Sequence, residues 1–357
     1  MSDPAAPSGE PGTSRTSRTS RSSAVVRGAG RLGLVQITAA AVLWGTSGVV
    51  AQLVHRSTGM GPMDISFWRL AVSATAMLLI ALPRFGSVVT AVRRNPWALT
   101  AAGIALAAYQ GLYFLSVTTA GVNIATMVSL GTAPVVAAVW EAVTRRRLPG
   151  ARQLVVIGVA IAGLVLIAGG HSGAAGPNPA LGVLAALGSG VIYGGSAILG
   201  RHLAQHTPAI AMTTLTSVVG AVTLSPFVLI SAPYVTPTDP PFSATAAWIG
   251  IGYVGVVATA VAYILFNRGL RATESSSAAV LTLIEPLTAA VLAVTVLAEP
   301  TGATTVVGAT LLLGSVAVLY LAPGPSGDAK RATAGGAPTG IPPGAELEEA
   351  PDREDPA

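Results

Sequence analysis

Ten stretches of roughly 20 residues, each almost free of charge, dominate this chain, and each is long enough to cross about 30 Å of hydrocarbon as an α-helix. They fall at 34–54, 63–83, 97–118, 122–143, 152–170, 180–200, 208–230, 246–267, 276–297 and 303–322. A segment in lipid must satisfy its own backbone N–H and C=O groups, so each stretch has to be helical. The expected fold is an all-α integral membrane protein of ten transmembrane helices. Charge agrees with this. Only 10% of residues are Asp, Glu, Lys or Arg, against about 25% in a soluble domain. The first stretch is too long for a signal-peptide core, and nine more follow it.

Residues 1–33 are rich in Ser, Thr, Pro, Gly and Arg and lack apolar periodicity, which predicts a disordered basic cytoplasmic tail. Residues 323–357, rich in Pro, Gly and Glu, are expected to be a second disordered tail. Gly28, Gly30 and Gly33 match a GxGxxG pattern, but no strand precedes them and a span follows, so the match is fortuitous. With both termini in the cytoplasm, all of the 20 Lys and Arg residues except Arg56 and Arg69 fall on the inner side. The positive-inside rule predicts this bias. A miscounted span would scatter the later clusters over both faces. The location expected is the cytoplasmic membrane.

Two stretches resemble each other at an offset of 152 residues: Phe114 with Phe266, Ala120 with Ala272, Pro134 with Pro286, and Ala137-Ala138-Val139 with Ala289-Ala290-Val291. The offset spans five helices. Five is odd, so the second copy runs upside down relative to the first, as in many secondary transporters.

Leu43-Trp44-Gly45-Thr46-Ser47 in the first span, Pro62 with Phe67-Trp68-Arg69 in the second, and Leu283-Ile284-Glu285-Pro286 with Glu299 toward the end together resemble the EamA group of the drug/metabolite transporter superfamily. The resemblance covers about residues 34–322. It implies two inverted EamA-like five-helix repeats, 34–170 and 180–322, working by alternating access on amino acids and other small metabolites, often outward. The chain departs from the family pattern where the fourth span ends. Arg145-Arg146-Arg147-Leu148 replaces a Gly-Glu-Arg-like segment, and Ala298-Glu299 replaces Gly-Glu.

A charge inside the membrane must be paired, protonated or set in a wet cavity. Glu285, in the middle of the ninth span beside Pro286, is the leading candidate for proton coupling or for binding a substrate amine. The alternative is a structural carboxyl bonded to a neighbouring helix. Arg69 can hold a substrate carboxylate bidentately or serve structurally, paired with an internal acid or snorkelling outward; the structural role is favoured. Glu141 stands four residues before Arg145, the favourable order for a helical ion pair. Trp44, Tyr109, Gln110, Tyr113 and Tyr263 are cavity candidates, with Trp68, Tyr193 and Asn267 as softer ones. Tyr109 and Tyr113 lie one turn apart on one helix face. Trp97, Trp248 and Tyr320 read as interfacial anchors. Pro134 and Pro286 are hinge candidates. Gly190 with Gly194, and Gly103, Ala107 and Gly111, read as close-packing surfaces.

These features weigh against other functions. A membrane-embedded enzyme would rest its acid–base chemistry on Glu285 nearly alone. The four histidines lie in loops or span ends, no HExxH or GxSxG motif occurs, and there is no cysteine. A channel would need charged rings or a carbonyl filter, and a primary pump would need a P-loop. No metal or cofactor is expected. The expected partners are a small-molecule substrate, protons and membrane lipid, with no nucleic acid. The assembly is a monomer or a homodimer.

Overall fold

The computed structural model describes residues 15–169, 177–230, 243–297 and 302–321, with side chains from Gly30 onward except at Asn123, Ala293 and Leu297. Among the described residues ten helices are long and apolar enough to cross a membrane, and each overlaps its expected stretch, the second running on to Arg94 and the sixth to His206. The first two are α1 (Arg15–Thr58) and α2 (Pro62–Ala81). A short α3 (Phe85–Arg94) leads to α4 (Pro96–Ala120), α5 (Val122–Arg145) and α6 (Ala151–Gly169). The second half comprises α7 (Pro179–His206), α8 (Ala209–Ile230), the pair α9 (Ala244–Gly255) and α10 (Ala262–Gly269), the pair α11 (Ser275–Thr282) and α12 (Ile284–Leu297), and α13 (Ala303–Leu321).

Four features differ from the sequence expectation or refine it. Residues 15–33, assigned to a disordered tail, are helical and belong to α1. No proline interrupts them, and extending a helix already nucleated by a packed span costs little. Residues 1–14 and 323–357 of the expected tails lie outside the described residues. The connector after α2 is a 3₁₀ turn, Leu82–Arg84, followed by the amphipathic α3. Pro83 removes a backbone donor and ends α2; α3 then buries Val88 and Ala91 and exposes Arg93 and Arg94. The eighth span contains a π-helical turn, Val256–Val261, where the Thr259 hydroxyl donates to the Val254 carbonyl at 2.7 Å. The ninth span is broken at Leu283, directly before Glu285 and Pro286.

The halves are inverted five-helix repeats, and their correspondence reaches single residues. Both ends of α6 and α13 are offset by 152 residues. Packing repeats as well. α4 lies against α7 and α8, just as α10 and α9 lie against α1 and α2; α5 lies on α7 as α12 lies on α1; and α2·α8, α6·α13 and α5·α11 pair across the repeats. A Cβ at Gly45 would collide with the Glu285 carbonyl and the Thr288 side chain, and one at Gly194 with the Ala133 carbonyl and Val136. Each residue of the first contact has its repeat mate in the second. Gly190 seats α7 on Ser129 and Thr132 of α5, and Gly103 seats α4 on Val219 of α8. Gly111 has only a loose contact with Met63, so it is no close-packing point. Where α4 turns directly into α5, Gly121 takes φ 96°, a region that side chains disfavour.

Hydroxyl pairs cross-link the bundle: Ser73 with Ser217 at 3.0 Å, Ser129 with Ser189 at 2.8 Å, and Thr46 with Tyr253 at 2.8 Å. Such bonds join helices where hydrophobic association is weak. Leu184, Val191, Val222 and Leu229 point outward and are exposed, as a lipid-facing surface requires. Trp97 and Trp248 are exposed near span ends. Tyr320 also bridges α13 to Thr38 of α1 at 2.7 Å.

Candidate functional site

The site is built where helix geometry fails. A broken ninth span leaves α12 starting deep within the bundle, with Glu285 in its first turn. Gly45 lets α1 approach that turn, which brings Trp44 alongside. Gly255, at the end of α9, brings the eighth span against the Arg69 carbonyl and Val72 of α2, just before the π-turn. Irregular backbone at membrane depth is tolerated where it lies inside protein or lines a cavity, and π-turns recur at functional sites.

A cavity of about 50 Å³ lies between α1, α4, α7, α8 and α10. Its walls include Trp44, Tyr109, Tyr193, Tyr263, Thr216 and Asn267. Trp44 is tilted against Tyr263 at a ring-centroid distance of 5.0 Å and against Phe266 at 5.2 Å. Tyr109 lies on Tyr193 at 5.1 Å. Asn267 is buried and donates to the Thr213 hydroxyl at 3.1 Å. Aromatic walls with a few placed polar groups are the usual make-up of a small-molecule pocket.

Arg69 donates from a terminal guanidinium nitrogen to the Gln110 side-chain oxygen, and Gln110 donates in turn to the Leu106 carbonyl at 3.1 Å. Gln110 thus positions Arg69. The Arg69 Nε is buried with no partner among the described residues. Glu285 is surrounded by protein yet keeps intermediate solvent accessibility, which places it on an internal opening. Among the described residues its carboxylate accepts no hydrogen bond. Arg69 and Glu285 lie within electrostatic reach of one another, and Tyr109, Tyr193 and Tyr263 lie in the same field.

The sequence candidates therefore separate. Trp44, Tyr109 and Tyr263 line the cavity, with Arg69, Gln110 and Glu285 beside it. Tyr113 is not in the cavity wall and pairs with Thr126 of α5 at 2.9 Å, though it too lies within electrostatic reach of Glu285. Sharing a helix face with Tyr109 did not suffice, because one turn along α4 the neighbour is α5. Trp68 packs edge-on against Trp248 at 5.3 Å, outside the cavity. Glu141 does not pair with Arg145. Arg145 instead meets Glu274 at 2.8 Å, and Glu141 accepts from the Ser276 backbone N–H at 3.1 Å and from its hydroxyl. The start of α11, a helix N-terminus attractive to an anion, outcompetes the local partner. Glu299 and Ala298 lie outside the described residues. Pro286 falls at the break in its span, whereas Pro134 sits inside the continuous α5.

Sequence reasoning missed Ser196, Thr216 and Phe266 in the cavity wall and the role of Gly45. One signal was available for Gly45. Trp44-Gly45 and Tyr193-Gly194 are repeat mates at an offset of 149 residues, not 152, so they align only when loop lengths are allowed to differ.

Comparisons with known proteins agree with this architecture. The model of the EamA-like transporter family matches residues 31–169 and again 180–321. The chain is 29% identical over 292 residues to the uncharacterized transporter YwfM of Bacillus subtilis, covering 80% of this chain and 92% of that protein. It is 24% identical over 300 residues to the uncharacterized inner membrane transporter YicL of Salmonella typhimurium, covering 82% and 97%. A solved crystal structure superposes with a TM-score of 0.66 at 19% identity, over 81% of this chain and 96% of that one, and speaks to the fold alone. This multi-pass membrane protein belongs to the EamA-like transporter family, within the drug/metabolite transporter superfamily.

Proposed function

We propose that this protein is a secondary transporter that exports small amphipathic metabolites, such as amino acids, across the cytoplasmic membrane by alternating access. The observation carrying the reading is the pair of opposite charges beside the aromatic cavity. Arg69 is oriented by Gln110, and its Nε has no partner among the described residues; Glu285 is partly accessible and accepts no hydrogen bond from them. A substrate carboxylate suits Arg69, an ammonium group suits Glu285, and an apolar side chain suits the aromatic wall. The present cavity holds little more than a water or two, so substrate entry requires the bundle to open. Inverted repeats supply a route to that opening. Glu285 also carries the exchanged proton in this reading. Outward direction follows the family resemblance, and cytoplasmic termini follow the distribution of Lys and Arg.

The coupling test is efflux from proteoliposomes preloaded with a transported amino acid, under an imposed pH gradient. Wild-type efflux is expected to accelerate with the gradient, and Glu285→Gln to be insensitive to it. Equal gradient dependence in both proteins would remove Glu285 from coupling.

A further inference from the structure

The two repeats are fastened together at one end by a polar cluster whose repeat mates at the other end are uncharged in the sequence. Glu141, near the C-terminal end of α5, is buried and accepts from both the backbone N–H and the hydroxyl of Ser276, the second residue of α11. Gln153 of α6 donates to the Ser276 hydroxyl at 2.9 Å and to Glu141 at 3.4 Å. Arg145 and Glu274 close the rim with an ion pair at 2.8 Å. A carboxylate on the first turn of a helix is favoured by the free N–H groups and by the helix dipole. Here the capping carboxylate comes from the other repeat. Both groups are buried in this arrangement, and parting the repeats at this end would break these bonds and leave water to replace them.

Repeat symmetry identifies what stands in the matching places at the opposite end. At the 152-residue offset, Glu141 corresponds to Ala293, Arg145 to Leu297, Ser276 to Ile124, Glu274 to Val122 and Gln153 to Thr305. None of these mates is charged. The helices follow the same asymmetry: α5 packs extensively against α11 and makes little contact with α12. The bundle is clasped at the Arg-rich end and looser between α5 and α12.

We infer that Glu141 and Ser276 form a one-sided gate, a clasp that holds the transporter closed at its Arg-rich end and must break each time the site opens there. This rests on the alternating-access reading above, but its test reads conformation and not transport. The chain has no native cysteine, so a single Ser196→Cys, in the cavity wall, reports access directly. A membrane-impermeant maleimide is applied to either face of sealed vesicles. With the clasp intact, the introduced thiol is expected to react slowly from the Arg-rich face. Glu141→Ala is expected to speed that reaction about tenfold, the scale of losing a charge-assisted hydrogen bond, and to slow labelling from the opposite face. Ser276→Ala, which keeps the backbone bond to Glu141, is expected to give a smaller change in the same sense, and it provides the reading if Glu141→Ala does not fold. Unchanged labelling in folded Ser276→Ala and Glu141→Ala proteins, or equal acceleration from both faces, overturns the gate. Altered sidedness without movement of any substrate keeps the gate and counts against the transport reading.

Discussion

Two ionisable side chains, Arg69 and Glu285, separate this site from an apolar packing defect. Their repeat mates are not ionisable. Glu285 corresponds to Ala133, and Arg69, by way of the contacts of Gly103 and Gly255, to Thr216. The fold is thus symmetric while its chemistry is one-sided. Arg69→Lys keeps the charge but removes the planar fork that binds a carboxylate bidentately. It is expected to raise the KM for carboxylate-bearing substrates about tenfold with little change in thermal melting. Gln110→Ala frees the guanidinium nitrogen that Gln110 now holds. It is expected to weaken the same substrates in the same direction, and unaltered KM values in both variants would return Arg69 to a structural role. Both charged residues were legible in the sequence because a charge in an apolar run stands out. The partners of Glu141 and Tyr113 were not. They belong to other helices, and helical spacing specifies a face but not its neighbour.

Among the elements, the paired glycine contacts matter most. Gly45 and Gly194 seat α1 on α12 and α7 on α5 in matching geometry, each facing a carbonyl oxygen that cannot yield as a flexible side chain can. Alanine at either position is expected to destabilise by about 1–3 kcal/mol through overpacking, measured as a fall in melting temperature in detergent. The functional effects should differ. Gly45→Ala presses on the turn that carries Glu285 and should reduce transport beyond its loss of folded protein, whereas Gly194→Ala presses on Ala133 and should not. Equal activity per folded molecule would show that the turn at Glu285 tolerates displacement. Span positions were readable because length and apolarity alone decide them in a bilayer. The break at Leu283 and the π-turn after Gly255 were not, since Pro286 and Pro134 look alike in sequence while only the first accompanies an interrupted helix.

For the molecule as a whole, the ten candidate spans among the described residues and the arginine distribution carry the proposal that both termini lie in the cytoplasm. Reporter domains that fold and fluoresce only in the cytoplasm should be active at both ends and silent when inserted near Arg56; the reverse pattern would invert the orientation. The repeat order and its inversion were legible from one offset and the parity of five spans. The residue-level symmetry required coordinates, because the first and second spans of each repeat align at offsets of 149 and 147 residues, against 152 for the last three. What such a bundle should do is exchange solutes, and this can be measured without choosing a substrate in advance. Purified protein is reconstituted into liposomes loaded with pooled metabolites, and mass spectrometry follows what crosses relative to protein-free liposomes. Saturable, protein-dependent exchange of a class of small amphipathic metabolites, impaired in Arg69→Lys, is the expected result. Folded protein that exchanges no amino acid, sugar, nucleoside or cationic drug would contradict the assignment as a metabolite transporter.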